Sequence, residues 1–236
     1  MSKFAVFDID GTLFRSGLYR EVVHELIRID ALNSKLLDLF ADKEAHWHKR
    51  SHGSAFKEFE EAMAMAFDRE LPKLRVTDFD AACNSVIEAK KDNVYVYTRD
   101  LAYKLKSDGY TLIAISGSQV ELVEPFAKHY GFDIWIGQQY ERGEEYFTGH
   151  AVKTHKDKDI ILSQLIREHG LTLQGSIGVG DSMGDYEFLQ MVERPIAFNP
   201  EEKLFEKAKA QGWKVVVERK NNIYELEMHN SQYILR

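Results

Sequence analysis

One cysteine, Cys83, is all the thiol the chain contains. A lone thiol excludes an intramolecular disulfide and any cysteine-rich zinc site, and it fits a reducing compartment. Cys83 itself reads as a small core residue. Long apolar runs are also missing: nothing approaches the roughly 20 residues that a membrane-spanning helix needs. The N-terminus MSKFAVFDID passes into a strand without a signal-peptide apolar region. The expectation is a cytoplasmic protein with no membrane partner. Positive charge is in short supply, the formal net charge being -7. Nucleic-acid backbones are held by clustered Lys and Arg, so no nucleic-acid partner is expected, and the basic run from His46 to His52 is too brief to serve. Apart from His46 and His48, the histidines, His129 and His155 among them, lack a close pair at metal-ligand spacing and read as surface residues. Internal repeats and low-complexity tracts are absent. What remains is an ordinary globular composition, 44% hydrophobic over 236 residues. That is enough to bury a full core, as one domain with a large insertion or as two small domains.

Short β-rich apolar runs recur through the chain: FAVFDI from Phe4, TLIAIS from Thr111, FDIWIG from Phe132, SIGVGD from Ser176, PIAF from Pro195 and WKVVVE from Trp213. Runs of this length without polar alternation predict strands covered on both faces, as in a parallel sheet with crossover helices. Helical spacing appears between Val120 and Tyr130 and from Lys156 to His169, where Ile160, Ile161, Leu165 and Ile166 make a stripe expected to face the core. The fold class is therefore α/β, a doubly wound parallel sheet. Between its first two strands lie roughly 80 residues of helical pattern, where a crossover needs only about a dozen. Four segments carry it: Leu18 to Ile29; Leu36, Leu37 and Phe40 after the capping pair Asn33-Ser34; Phe56 to Phe67 after Ser54; and a last one from Thr77 with Phe79, Cys83 and Val86. They predict an inserted helical bundle over residues 15–97, with residues 1–14 and 98–236 as the core and hinges near 14–17 and 92–98. Between Gly137 and Gly149 the composition predicts a β-hairpin.

The segment VFDIDGTLF ends its apolar run with Asp8 and Asp10. Carboxylates are costly to desolvate, so two at the edge of a core call for a compensating cation or substrate. Three further features fall where an open α/β sheet collects ligands, at the carboxyl ends of strands. Ser116-Gly117-Ser118 follows TLIAI and is expected to open a helix, where a hydroxyl and free N–H groups make an anion site. Gly180-Asp181-Ser182-Met183-Gly184-Asp185 follows SIGV and brings two more carboxylates. HKDKDIILSQLI places Lys156 and Lys158 at a helix start, where the dipole disfavours cations unless an anion is near. Singly each has an ordinary reading, as a solvated strand end, a common turn or a solvated lysine pair. Together and in this order they do not.

The order D-x-D-G-T, strand-terminal Ser, Lys, then G-D-x-x-x-D resembles the haloacid dehalogenase (HAD) superfamily of phosphatases, from about Lys3 to Glu218. The helical insertion and FTGH from Phe147 resemble its phosphoserine-phosphatase-like branch. The resemblance implies a Rossmann-like core with a helical cap, and a Mg²⁺-dependent phosphatase acting on a small phosphorylated metabolite. Asp8 would be the nucleophile, forming an aspartyl-phosphate, and Asp10 the general acid and base. Acids facing a phosphate would repel it without a hard divalent cation; Asp8, the Asp10 carbonyl and Asp181 would hold Mg²⁺, with Asp185 behind them. Ser116, Gly117 and Lys158, preferred to Lys156 because the apolar stripe starts directly after it, would take phosphoryl oxygens. Gly11 and Thr12 would turn backbone amides toward the phosphoryl group. Arg15, Tyr19, Trp47, His48, Lys49 and Arg50 are candidates for substrate contact. Phosphoserine phosphatases carry an acid nine positions after the nucleophile, and here that position is Gly17; Gly184 stands where that subgroup often has Asn. Two other uses of the same residues are a phosphotransferase that passes the intermediate to an alcohol and a receiver domain phosphorylated on aspartate. A receiver needs neither the second Asp nor the insertion.

Overall fold

A computed structural model describes residues 2–154, 157–220, 222–230 and 232–235. From the N-terminus come β1 (Ser2–Phe7), α1 (Leu18–Arg28), a 3-10 turn (Ser34–Leu39), α2 (Ala41–His48), α3 (Ala55–Glu70), α4 (Val76–Lys90) and α5 (Val96–Ser107). Next are β2 (Thr111–Gln119), α6 (Val120–His129), β3 (Ile134–Arg142), β4 (Phe147–Val152), α7 (Lys158–Glu168) and β5 (Leu171–Gly180). The last are α8 (Tyr186–Met191), β6 (Arg194–Phe198), α9 (Glu202–Gln211), β7 (Lys214–Arg219), β8 (Asn222–His229) and β9 (Gln232–Leu235). No helix among the described residues is long and apolar enough to cross a membrane.

The chain divides into two compact units. The larger takes residues up to Gly17, Lys91–Gln138 and everything from Lys153; the smaller takes Leu18–Lys90 and Gln139–Val152. The sequence reading set its breaks at 14/15 and 97/98 and kept with the core Gln139–Val152, which the smaller unit takes; the larger unit holds 15–17 and 91–97 as well. Hydrogen bonds account for this: Arg15 N–H donates to the Asn93 carbonyl at 2.9 Å and Tyr95 N–H to the Leu13 carbonyl at 3.0 Å.

In the larger unit β1 pairs in parallel with β2 on one side and β5 on the other, and β3 lies outside β2. Beyond β5 the parallel sheet continues through β6 and β7, and β8 and β9 add on antiparallel. Successive strands therefore run outward from β1 in one direction and then, starting at β5, in the other. A crevice for ligands opens at such a switch point, beyond the carboxyl ends of β1 and β5. Alternate residues of β1 go to opposite faces. Phe4 and Val6 pack with Leu162, Phe188 and Leu204 in one cluster, while Phe7 meets Phe132 edge-on at 5.5 Å. Burial on both faces explains the unbroken apolar runs. Burying side chains of this size stabilises each by about 1.5–3 kcal/mol. The α7 stripe differs from expectation at one position: Leu162 and Leu165 are buried, whereas Ile160 is 62% exposed.

In the smaller unit Phe67, Phe79, Tyr140 and Phe147 cluster with ring centroids 5.3–6.4 Å apart. These contacts bring the hairpin of β4 and the end of β3 into the helical unit, Tyr140 pairing with Ala151. Cys83 is buried there. The segment after Asn33 is a 3-10 turn, with the Asn33 side chain accepting from Lys35 N–H at 2.9 Å. Ser54 makes no side-chain cap bond.

Candidate active site

β1 ends at Phe7, and the chain then turns sharply: the Ile9 carbonyl accepts from the N–H groups of Thr12, Leu13 and Phe14 at 3.2, 2.9 and 2.8 Å. Gly11 sits in this turn at φ +83° and donates its N–H to the carbonyls of Phe14 and Ser16. Gly11 and Thr12 thus form a tight turn and spend their own amides inside it, on Phe14, Ser16 and Ile9 carbonyls. The Thr98 hydroxyl of α5 braces the loop, donating to the Thr12 carbonyl at 2.9 Å.

Asp8 N–H donates to the Val179 carbonyl at 2.9 Å, which fixes the nucleophile candidate to the end of β5. Its carboxylate is buried; Oδ1 accepts from Lys158 Nζ at 2.7 Å, and Oδ2 has no hydrogen-bond partner among the described residues. Lys158, the first residue of α7, also donates to Asp185 Oδ1 at 2.7 Å. The second oxygen of Asp185 accepts from the amides of Asp181 and Ser182 at 3.0 and 3.2 Å. Carboxylate oxygens of Asp8, Asp181 and Asp185 all lie within 4.8 Å of one another. Two glycines permit the crowding. A Cβ on Gly11 would stand 2.1 Å from Asp181 Oδ2, and one on Gly180 would stand 2.5 Å from the Asp185 Cβ.

Burial pushes the Asp8 pKa up to about 7 despite the opposing pull of Lys158, and the charges of Asp185 and Asp10 add to the rise. Burial would also drive the proton off Lys158, but Asp185 and Asp8 outweigh it and hold its pKa above the ordinary lysine value. One fixed cation among three close carboxylates leaves the cluster short of positive charge.

Asp10 is held by hydroxyls from the end of β2. Its Oδ2 accepts from the hydroxyls of Ser116 at 2.8 Å and Ser118 at 2.7 Å. The Ser116 oxygen in turn accepts from Ser118 N–H, and Thr154 donates to the Ser116 carbonyl at 2.6 Å. Ser116, Gly117 and Ser118 belong to the irregular end of β2, and α6 starts only at Val120, so the expected helix opening lies further on. Ser118 has a role at Asp10 that the sequence reading did not assign; a second hydroxyl two residues after the first was the signal for it.

Arg15 is exposed, with its guanidinium over the Tyr95 ring at 5.6 Å. Tyr19, Trp47 and Arg50 belong to the helical unit. Tyr19 packs on Phe67 at 5.5 Å, Trp47 stacks on Phe59 at 5.0 Å, and Arg50 is exposed at φ +50°. Lys156 and His155 lie outside the described residues.

Residues 5–190 match the haloacid dehalogenase-like hydrolase family. The chain belongs to that family, as an enzyme of its phosphatase type. Among named relatives, a histidinol-phosphatase from Neisseria meningitidis serogroup C (strain 8013) is 26% identical over 230 residues, covering 92% of this chain and 99% of that one. Phosphoserine phosphatase SerB1 of Mycobacterium tuberculosis (strain ATCC 25618 / H37Rv) is 28% identical over 132 residues, 52% of this chain and 41% of its own. In fold the chain is similar to a protein of unknown function from Bordetella pertussis Tohama I, with TM-score 0.70, 20% identity and coverage of 91% and 98%. It is similar too to the phospho-aspartyl intermediate analogue of a phosphoserine phosphatase, with TM-score 0.64, 18% identity and coverage of 93% and 94%.

Proposed function

We propose that this chain is a Mg²⁺-dependent phosphomonoesterase that acts in the cytoplasm on a small phosphorylated metabolite through an aspartyl-phosphate on Asp8. The observation that carries the reading is the Asp8 carboxylate, buried, with one oxygen held by Lys158 and the other without a hydrogen-bond partner among the described residues. The side chains clustered with it, Asp181 and Asp185, offer carboxylate oxygens, which suit a hard cation. Asp8 and Asp181, with the Asp10 carbonyl, would hold Mg²⁺. Asp185 already spends both oxygens on Lys158 and the Asp181 and Ser182 amides, which suits it to orienting its neighbours. Bound Mg²⁺ would neutralise the carboxylates and the approaching phosphoryl charge.

In this reading the free oxygen of Asp8 attacks phosphorus in line, the P–O bond to the leaving group breaks, and Asp10 gives the departing alkoxide its proton. Asp10 then takes a proton from water, whose oxygen attacks the phosphoaspartate; inorganic phosphate leaves and the Asp8 carboxylate returns. The Ser118 hydroxyl holds the Asp10 carboxylate between the steps, joined by Ser116 while no phosphate is bound. Lys158, kept charged by its two aspartates, and the Gly117 N–H would receive phosphoryl oxygens, as would the Ser116 hydroxyl on turning from Asp10 to bound phosphate.

For the substrate, the relative matched over nearly its whole length is a histidinol-phosphatase, and Gly17 stands where phosphoserine phosphatases carry an acid. We therefore place histidinol phosphate ahead of phosphoserine. A phosphate-release assay over a metabolite panel, with and without Mg²⁺, tests the proposal. Turnover is expected only with Mg²⁺ and is lost in Asp8→Asn; an unchanged rate in that variant removes Asp8 as nucleophile. An added alcohol acceptor separates hydrolysis from transfer.

A further inference from the structure

The loop after β5 carries Asp181, and its main chain is gripped from two sides. From within the loop, Asp185 Oδ2 accepts from Asp181 N–H at 3.0 Å and Ser182 N–H at 3.2 Å. From outside it, Glu201 grips twice: its own N–H donates to the Asp181 carbonyl at 2.8 Å, and its carboxylate Oε1 accepts from Met183 N–H at 2.8 Å. Both sides of the Asp181 residue are therefore tied, its N–H to Asp185 and its carbonyl to Glu201. Glu201 can do this because of where the chain leaves β6. Asn199 adopts φ +43° and donates its N–H to the Val216 carbonyl at 2.8 Å, while its Oδ1 accepts from Glu218 N–H at 2.9 Å. Pro200 follows, and Glu201 caps α9 in extended conformation at φ -61° and ψ 159°.

We propose that Glu201 is a positioning residue for Mg²⁺, which fixes the loop so that the Asp181 carboxylate is presented toward Asp8 across Gly11. The inference rests on the reading of Asp181 as a metal ligand. A carboxylate ligand on a loop binds well only if the loop is pre-set, since ordering it on binding would cost part of the affinity. Partners one layer behind a metal ligand typically change affinity by about 10- to 100-fold when removed. Asp185 cannot be varied to probe this, because it also holds Lys158. Glu201 bonds the loop and its own helix α9 and is not one of the clustered carboxylates, so it separates positioning from charge.

The test is Mg²⁺ titration by calorimetry, with the Mg²⁺-induced shift in melting temperature as a second readout, on the full chain and three variants. Glu201→Ala is expected to weaken Mg²⁺ about 10-fold, with its reduced turnover restored when Mg²⁺ is raised by the same factor. Glu201→Gln, whose side-chain oxygen still accepts from Met183, is expected to bind Mg²⁺ nearly as the unaltered chain does. Asp181→Asn tests the underlying reading and is expected to abolish binding. If Glu201→Ala is folded and binds Mg²⁺ as tightly as the unaltered chain while Asp181→Asn does not bind, the positioning role is overturned and the ligand assignment stands. If Glu201→Ala and Glu201→Gln weaken binding equally, the hydrogen bond to Met183 is not what matters and the proposal fails. If Asp181→Asn binds normally, the ligand assignment falls and the inference with it.

Discussion

Asp8 carries a cost that the metal-free protein should reveal through its pH dependence. Its folded pKa stands at about 7 against an ordinary 3.8, chiefly because burial disfavours the charged carboxylate. The folded chain therefore binds this proton more tightly than the unfolded chain does. The stabilising contribution is complete below about pH 4 and is lost as pH rises through 7. A gap of roughly three units corresponds to about 4 kcal/mol over the full range, of which about 2–3 kcal/mol falls between pH 5 and 8. For a chain of this size 1 kcal/mol moves the melting temperature by about 2–4 °C. Asn at position 8 has nearly the same shape, can still accept from Lys158, and cannot ionise. In chelator-treated protein the melting temperature of Asp8→Asn should therefore gain on that of the unaltered chain by about 5 °C or more as pH is raised from 5 to 8. Groups common to both proteins cancel in this difference. Added Mg²⁺ at pH 8 should close the gap by raising the unaltered chain alone. A difference that stays flat from pH 5 to 8, measured by scanning calorimetry, would refute the claim that Asp8 is buried with an unmet charge.

Other perturbations of the same cluster have distinct signatures. Lys158→Met leaves Asp8 and Asp185 facing each other without their cation, and breaking a buried pair in this way costs about 3–5 kcal/mol; since Lys158 holds the Asp8 pKa down, the variant's Asp8 protonates at higher pH, and denaturant midpoints should show the loss shrinking as pH falls toward 7. Gly11→Ala forces a methyl to within 2.1 Å of Asp181 Oδ2 at a backbone φ of +83°. It should cost about 1–2 kcal/mol in backbone strain alone and abolish the Mg²⁺-dependent rise in melting temperature, whereas Gly109→Ala, with open space around its Cβ position, should leave that rise intact. Ser116→Ala and Ser118→Ala each remove one of the two hydroxyls on Asp10 Oδ2; each should lower kcat, and the pair should be non-additive in a double-mutant cycle because the two hydroxyls share one oxygen.

What the sequence makes legible here is what lies along the chain. The apolar runs of β1, β2, β3, β5, β6 and β7 are long enough and sufficiently free of polar alternation to reveal a sheet buried on both faces. Once those strands are in parallel order, the residues just past their ends must meet at one edge. Asp8, Lys158, Asp181 and Asp185 come together in this way although up to 177 positions separate them in the chain (185 minus 8). The C-terminal strands were less visible because β8 is half-exposed and interleaves polar residues. Nor did α2 stand out: it buries no residue fully and so carries no apolar stripe.

Hydrogen-bond direction is where reading along the chain stops. In Asp-Gly-Thr the composition announces a tight turn, but not that Gly11 spends its N–H on Phe14 and Ser16. That outcome is set by the returning segment Asn93–Tyr95, which pins Leu13 and Arg15 and so closes the turn from a point about 80 residues away in the chain. Glu201 was silent for the same reason, being one acid among many in the sequence and a two-point grip on the Asp181 loop only after β6 and α9 are in place. Charge can be read residue by residue, whereas the amides that aim it are assigned by the whole sheet. The sequence therefore shows which charged residues meet at the sheet edge sooner than it shows what holds them still, and variants at Glu201 and Gly11 probe the second question without touching the carboxylates and lysine of the cluster.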